Sequence, residues 1–392
     1  MPQKKILYII GSLDLGGAER HLSLVAPRLK QLGWEPTIYC ISRRGVQADV
    51  VERAGVAVIG PPWDGGSRQT FFGKPLGLFA SCLKLLKILL LERPQIVHFF
   101  LPLAYVIGAP LAWLMRVPTL VMSRRSLNLY QAQHPILARL ERFLHRRMDA
   151  ILGNSRAVFD QLVDVEGCAR GKVSVIYNGI DIGSIDRARA TGADGSSAPP
   201  GVVLIIVANL IPYKGHSDLI DALAAVQGQM PEQWTLLCVG RDDGIRSKLE
   251  AQVQSLGLTG HIRFLGERTD VESLLKGANI GILCSHQEGF ANAILECMAA
   301  GLPMVATDVG GNAESVVHAE TGLIVPPRNP AALGQAMLSL VSDPAARQRM
   351  GQAARKRAEE RFSIEQCVEQ YDGLYRSLIE RKTAAAGIRS QG

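Results

Sequence analysis

Short unbroken apolar runs, bounded by turn or helix signals, set the rhythm of the first half of the chain. The opening repeat predicts a strand from Ile6 to Ile10, a glycine turn from Gly11 to Gly17, and a helix from Glu19 to Leu32 that carries Leu22, Val25, Ala26 and Leu29 on one face. A second strand is predicted from Glu35 to Ile41, and further ones at Gln95 to His98, Thr119 to Met122, Ala150 to Leu152 and Val173 to Ile176. Apolar runs without alternation are what parallel strands need when helices cover both faces of their sheet.

Residues Asp186 to Gly201 break this rhythm with Gly, Ser, Ala and Pro, and are read as a linker. The same grammar then restarts, with strands at Val202 to Ala208, Trp234 to Gly240, Ile262 to Leu265, Ile280 to Cys284, Pro303 to Thr307 and Gly322 to Val325. Helices are predicted after Lys214, at Arg246 to Leu256 and at Ala293 to Ala300. Ser363 with Gln366 makes a capping box for a last helix whose stripe of Ile364, Val368, Tyr371, Leu374, Tyr375 and Leu378 needs a partner surface, and the tail after Lys382 reads as frayed. The reading is therefore α/β with two domains, residues 1–185 and 186–362, and helix 363–382 returning to the first. Ligands bind at the carboxyl ends of such strands, so a cleft between the domains is the expected site.

Length agrees: 392 residues exceed one ordinary domain of ~150. Seven cysteines are scattered without a CxxC pair, several of them inside apolar runs, which argues for a reducing compartment and against structural zinc. The N-terminus runs straight into a strand pattern, so no signal peptide is read and a cytoplasmic location is expected, with the inner membrane face compatible. Of the net charge of +7, residues 1–185 carry +10 and residues 186–392 carry −3. One half thus faces something anionic: nucleic acid, a phosphorylated acceptor or an acidic membrane surface. Nucleic acid is disfavoured, because the basic residues are not interleaved with exposed aromatics. Segment Leu101 to Met115 is too short to span a bilayer and reads as a buried helix. Segment Leu76 to Leu91 carries Lys84 and Lys87 on a leucine-rich helix, which fits either a half-buried helix with solvated lysines or peripheral contact with an anionic membrane.

The chemistry concentrates at Glu288-Gly-Phe-Ala-Asn-Ala-Ile-Leu-Glu296, two glutamates separated by seven residues between a strand and a helix. A fixed carboxylate accepts two hydrogen bonds from adjacent sugar or ribose hydroxyls, and the backbone N–H groups from Gly289 through Phe290 and Ala291 to Asn292 sit where a helix start meets a diphosphate. Glu296 taken alone has a second reading, as a carboxylate that complements the helix N-terminus, which the flanking pattern disfavours. The stretch SHQEGFANAILECMAAGLPMVATDVGGNAE resembles the donor segment of retaining glycosyltransferases of family 4, which have the GT-B fold of two Rossmann-like domains and an E-x7-E motif. Leu13 to Arg20, with Gly16 and Gly17, resembles that family's N-terminal glycine loop, and Asn154-Ser155-Arg156 and Val175 to Asp181 resemble segments that end its first domain.

The resemblance implies that Glu288 orients the donor sugar, Glu296 holds the ribose, and Lys214 contacts the leaving diphosphate, whose developing charge a cation stabilises. Gly16 and Gly17 would approach phosphate or acceptor, and Phe264, in Ile262 to Gly266, would lie beside the base. The family commonly has arginine where this chain has Asn209, leaving Lys214 to act alone or with Arg241 or Arg268. It also places a histidine soon after the strand Thr119 to Met122, where this chain reads Ser123-Arg124-Arg125. Arg124 and Arg125 are read either as phosphate contacts or as surface charge, and His98 as a site residue or a satisfied core histidine. No DxD pair follows a strand, so neither a metal nor a cofactor is expected. The implied activity is hexosyl transfer from a UDP- or GDP-linked sugar to a sugar or lipid-linked acceptor in surface polysaccharide or glycolipid assembly. The alternatives are a GT-B-like nucleotide-sugar 2-epimerase and a non-catalytic nucleotide-sugar-binding subunit.

Overall fold

The computed structural model describes residues 4–62, 75–128, 131, 134–191 and 199–389. Its two compact units are Met1–Gly179 with Ile364–Gly392, and Ile180–Ser363.

The first unit is built on seven parallel strands: β1 (Lys5–Ile10), β2 (Glu35–Cys40), β3 (Ala57–Ile59), β4 (Ile96–Phe100), β5 (Thr119–Arg124), β6 (Ala150–Gly153) and β7 (Val173–Val175). Their order is β3-β2-β1-β4-β5-β6-β7. Tyr8 of β1 pairs in register with His98 of β4, and His98 with Val121 of β5. Because side chains alternate along a strand, β1 feeds two cores. Ile6, Tyr8 and Ile10 join Leu22, Val25 and Leu29 of helix Gly17–Gln31 on one face, and Leu7 and Ile9 join Phe99, Tyr105 and Leu144 on the other.

Helix Ile364–Arg389 supplies the rest of the first core, burying Val368, Tyr371, Tyr375 and Leu378 against it. Each large side chain removed from water there contributes roughly 1.5–3 kcal/mol. The apolar stripe thus finds its partner in the first unit, fastened by Trp34 Nε1 donating to Asp372 (2.8 Å) and by Lys382 with Asp149 (2.6 Å). The frayed-tail expectation is corrected, since the helix continues to Arg389; residues 390–392 lie outside the described residues.

The second unit has six parallel strands: β8 (Val202–Val207), β9 (Trp234–Val239), β10 (Ile262–Gly266), β11 (Ile280–Leu283), β12 (Met304–Thr307) and β13 (Gly322–Val325). The order β10-β9-β8-β11-β12-β13 is a second doubly wound sheet. Its entry is earlier than residue 186. Ile182–Thr191 is helical, starting where Asp181 Oδ1 accepts from the Ser184 N–H (2.9 Å), and Ile185 is fully buried. Arg355 grips Asp186 with two bonds of 2.8 and 2.9 Å, so the head of the expected linker is structure; residues 192–198 lie outside the described residues.

Candidate active site

In each sheet the strand order reverses between the first strand and the fourth, β1/β4 and β8/β11, and a doubly wound sheet opens its ligand crevice at the carboxyl ends of that pair. In the second unit the loops leaving this pair carry Lys214 and Glu288. Chain direction and one glycine bring them together. After β8 the turn Pro212–Lys214 ends at Gly215, whose φ of +76° favours a residue without a side chain. A Cβ there would lie 2.0 Å from the carbonyl oxygen of Cys284, just past the end of β11. Backbone packed this tightly sets Lys214 Nζ 2.6 Å from Glu288 Oε1, with side-chain exposures of 18% and 11%. Charges largely removed from water interact more strongly than surface ions.

The Glu288 loop is fixed from its other side as well. Gly310, φ +54°, comes so close that a Cβ would stand 2.0 Å from the Glu288 carbonyl, and the Gly311 N–H donates to the Gly289 carbonyl (2.9 Å). Thr307 Oγ1 donates to the Ser285 carbonyl (2.6 Å), and the His286 N–H to the Tyr213 carbonyl (2.7 Å). Phe290 is buried against Phe362, ring centres 5.5 Å apart. Ala291 is the extended residue from which helix Asn292–Ala299 starts at Asn292, and Glu296 lies buried on that helix.

Asn209 serves the scaffold, because its Oδ1 accepts from the Arg241 N–H (3.1 Å) and so pins the turn after β9 to the turn after β8. Asp242 Oδ1 receives the N–H groups of Gly244, Ile245 and Arg246, closing that turn, and these bonds lower its pKa. The Arg241 guanidinium forks onto Asp243 and that of Arg268 onto Asp270. Neither cation is therefore aimed solely at a ligand. Phe264 is part-buried on β10 beneath the Arg246 guanidinium, 5.9 Å away.

In the first unit Gly16 caps helix Gly17–Gln31, and the Glu19 carboxylate folds back so closely that a Cβ on Gly16 would meet it at 2.3 Å. Burial raises the Glu19 pKa. Arg125 Nη2 donates to Asn178 Oδ1 (2.6 Å), and the guanidinium lies 6.0 Å from the Phe100 ring centre. Arg124 and His98 correct the acceptor-contact expectation, because both are interior. Arg124 is 3% exposed between Glu141 (3.2 Å) and Glu166 (3.0 Å), with His145 also on Glu166. His98, fully buried, bonds Tyr375 Oη at 2.7 Å and Ser123 Oγ at 2.8 Å. Burial, and then the Arg125 charge, holds its pKa well below the ordinary value, so it is neutral.

The sequence pattern assigns no role to Gly215, Gly310 or Thr307, the residues that position the ion-paired loop. Thr307 and Gly310 fall within the stretch that resembles the donor segment, so a signal is present for them. Gly215 follows Lys214, but its contact with Cys284 is 69 positions distant and leaves no local trace.

The family model described as glycosyltransferase family 4 matches residues 15–184, and that described as glycosyl transferases group 1 matches residues 195–357. Glycogen synthase of Mycobacterium tuberculosis (strain CDC 1551 / Oshkosh) is 32% identical over 225 residues, 57% of this chain and 53% of that protein, so the match spans about half of that relative's length. D-inositol 3-phosphate glycosyltransferase of Corynebacterium diphtheriae is 26% identical over 399 residues, covering 93% and 90%. The solved structure of Anabaena Alr3699/HepE in complex with UDP and glucose superposes with a TM-score of 0.80 at 25% identity, covering 96% of this chain and 100% of that one. With two Rossmann-like units of the GT-B type and a glycosyltransferase match in each half, the chain belongs to glycosyltransferase family 4.

Proposed function

We propose that this glycosyltransferase moves a hexose from a UDP- or GDP-linked donor, with retention, to a sugar or lipid-linked acceptor in surface polysaccharide or glycolipid assembly. The observation that carries the reading is the shielded Lys214–Glu288 pair at the β8/β11 switch point. Each partner has a use when a nucleotide sugar enters: the ammonium takes the diphosphate, which leaves with the electrons of the bond to the anomeric carbon, and the carboxylate takes the sugar hydroxyls. Glu296 is assigned to the ribose hydroxyls, Phe264 to the base, and the N–H groups from Gly289 to Asn292 to the phosphates. Asn209 contributes by holding Arg241 in place. Gly16 and Gly17 in the first unit are assigned to the donor phosphate or the acceptor, and Arg125 to the acceptor. That the Anabaena structure carries UDP and glucose supports a uridine nucleotide as the first donor to try.

A thermal-shift panel of UDP- and GDP-hexoses identifies the donor, since a ligand at 100 times its Kd adds about 2.7 kcal/mol of stability. Turnover is then measured in Lys214→Met and Glu288→Gln. Loss of the Lys214 ammonium, the preorganised charge aimed at the leaving group, lowers kcat by on the order of 10²–10³, and loss of the Glu288 charge, which holds the sugar, lowers it as well. Unchanged turnover in both variants would remove this site from the chemistry. Nucleotide sugar incubated alone distinguishes transfer from epimerisation, which needs no acceptor.

A further inference from the structure

Three helices of the first unit, Pro75–Glu92, Pro102–Leu114 and Pro135–His145, cover the same side of its sheet: Leu85, Ile88, Tyr105, Ala109 and Leu144 all enter one core cluster. The middle helix packs against both neighbours, so their outward sides adjoin. Those outward sides are unexpectedly apolar. Helix Pro135–His145 is inverted: Glu141 and His145 point inward, while Ile136, Leu140 and Phe143 face water, Ile136 at 81% exposure. Trp113 on the middle helix is 49% exposed, and Leu83 and Leu90 on the first are also outside. Exposed apolar side chains gathered on adjoining helices, rather than scattered singly, mark a surface where something docks.

Among the described residues the charges around it are mostly positive, and the exposed Glu92 that ends the first helix is paired with Lys5 (3.6 Å). Arg139, Arg142, Arg146 and Arg147 follow the Ile136, Leu140, Phe143 stripe, and Lys87 is exposed between Leu83 and Leu90. On helix Pro135–His145 the sole acid is the buried Glu141, and nearby Asp149 is paired with Lys382. The Arg147 guanidinium caps the Trp113 ring at 4.5 Å and the Phe143 ring at 5.4 Å, an apolar body with a cationic tip. Among the described residues no helix is long and apolar enough to cross a membrane.

We infer that the outward face of these three helices is a docking surface for an anionic lipid bilayer, with Ile136, Leu140, Phe143 and Trp113 entering the headgroup region and the arginines meeting lipid phosphates. Aromatic and aliphatic side chains flanked by arginines that have no acid partner among the described residues match that medium, whereas a protein partner that paired these arginines would need its own acids set to match them. The inference deepens the proposed use of a lipid-linked acceptor, yet its test needs no acceptor.

The full-length protein is sedimented with vesicles of equal parts phosphatidylglycerol and phosphatidylcholine, and with vesicles of phosphatidylcholine alone. It is expected to bind the first mixture and to be released by high salt. Arg142→Gln with Arg146→Gln weakens that binding on the order of 25-fold, about fivefold per arginine. Trp113→Ser with Phe143→Ser weakens it without abolishing the salt dependence, and both pairs keep the wild-type thermal shift with the nucleotide sugar. If the arginine pair fails to melt cooperatively, Lys87→Gln on the neighbouring helix serves instead. Failure to bind either vesicle overturns the inference, as does equal binding to both that neither double variant changes. A dimer in sedimentation velocity that Trp113→Ser with Phe143→Ser turns into monomer, without vesicle binding, assigns the face to a second copy and also overturns it. Loss of the nucleotide-sugar shift in the wild type counts against the proposed transfer alone.

Discussion

At the scale of single residues, burial decides protonation. His21 and His98 in the first unit are held neutral chiefly by burial, and in the second unit burial, with help from Lys214, lowers the His216 pKa to about 4. An unfolded histidine takes up its proton near pH 6.5, which these folded ones refuse. Each therefore stabilises nothing extra above that pH, and costs about 1.4 kcal/mol for every unit that pH falls between the unfolded and folded values. Urea midpoints are expected to drop between pH 7 and pH 5; a flat profile would contradict the assignment. Tyr375→Phe removes the hydroxyl that satisfies His98 Nδ1 and contacts Tyr8 Oη, and should cost about 1–3 kcal/mol in urea unfolding. The sequence exposes the site carboxylates well because their spacing is local to one strand, loop and helix. It does not show that Arg124 is enclosed, because Glu141 and Glu166 reach it only through the fold. Adjacent Arg124 and Arg125 look alike in the chain, yet one ends a buried strand and the other starts the loop beyond it.

Elements come through the pattern unevenly. The central strands are legible because they are short and wholly apolar; β3, three residues at the sheet edge with an exposed Ala57, carries too little pattern to stand out. Helix Pro135–His145 is hidden for a different reason: its apolar stripe faces outward, and its inner face holds a charged network. Helix Pro344–Arg361 likewise buries mainly alanines and a glycine, a face that hydropathy registers faintly. Turns matter most at the site. Gly215→Ala and Gly310→Ala each force a side chain into left-handed backbone and against a carbonyl. Left-handed geometry alone costs roughly 1–2 kcal/mol, and displacement of the loops should lower turnover of the proposed reaction further. Gly228→Ala, with open space around its Cβ position, is the control that should change neither. Wild-type melting and turnover in Gly215→Ala would show that the loop packing is not what sets the ion pair.

For the molecule as a whole, the chain leaves the first unit at Gly179 and re-enters it at Ile364, making the second unit an insertion into the first. Ile180 and Ser363 form a bridge, and the Ile180 N–H donates to the Phe362 carbonyl (2.8 Å), so the insertion's two ends are tied together. Residues 180–363 expressed alone should fold and bind the donor nucleotide, since their sheet and the Lys214–Glu288 pair are complete without the rest. A chain stopped after Ser363 should lose the first unit's cooperative melt, because Val368, Tyr371, Tyr375 and Leu378 are gone from its core. Circular dichroism melts of both fragments check this; a stable first unit in the truncated chain would contradict it. Composition sets the boundary at residue 185 because it marks where polar small residues begin, whereas the fold changes owner at the Ile180 bridge. That topology reaches back to synthesis. A ribosome releases the inserted unit complete while the earlier-made half still waits for helix Ile364–Arg389, so the hydrophobic flank of this half stays open until that helix has been made.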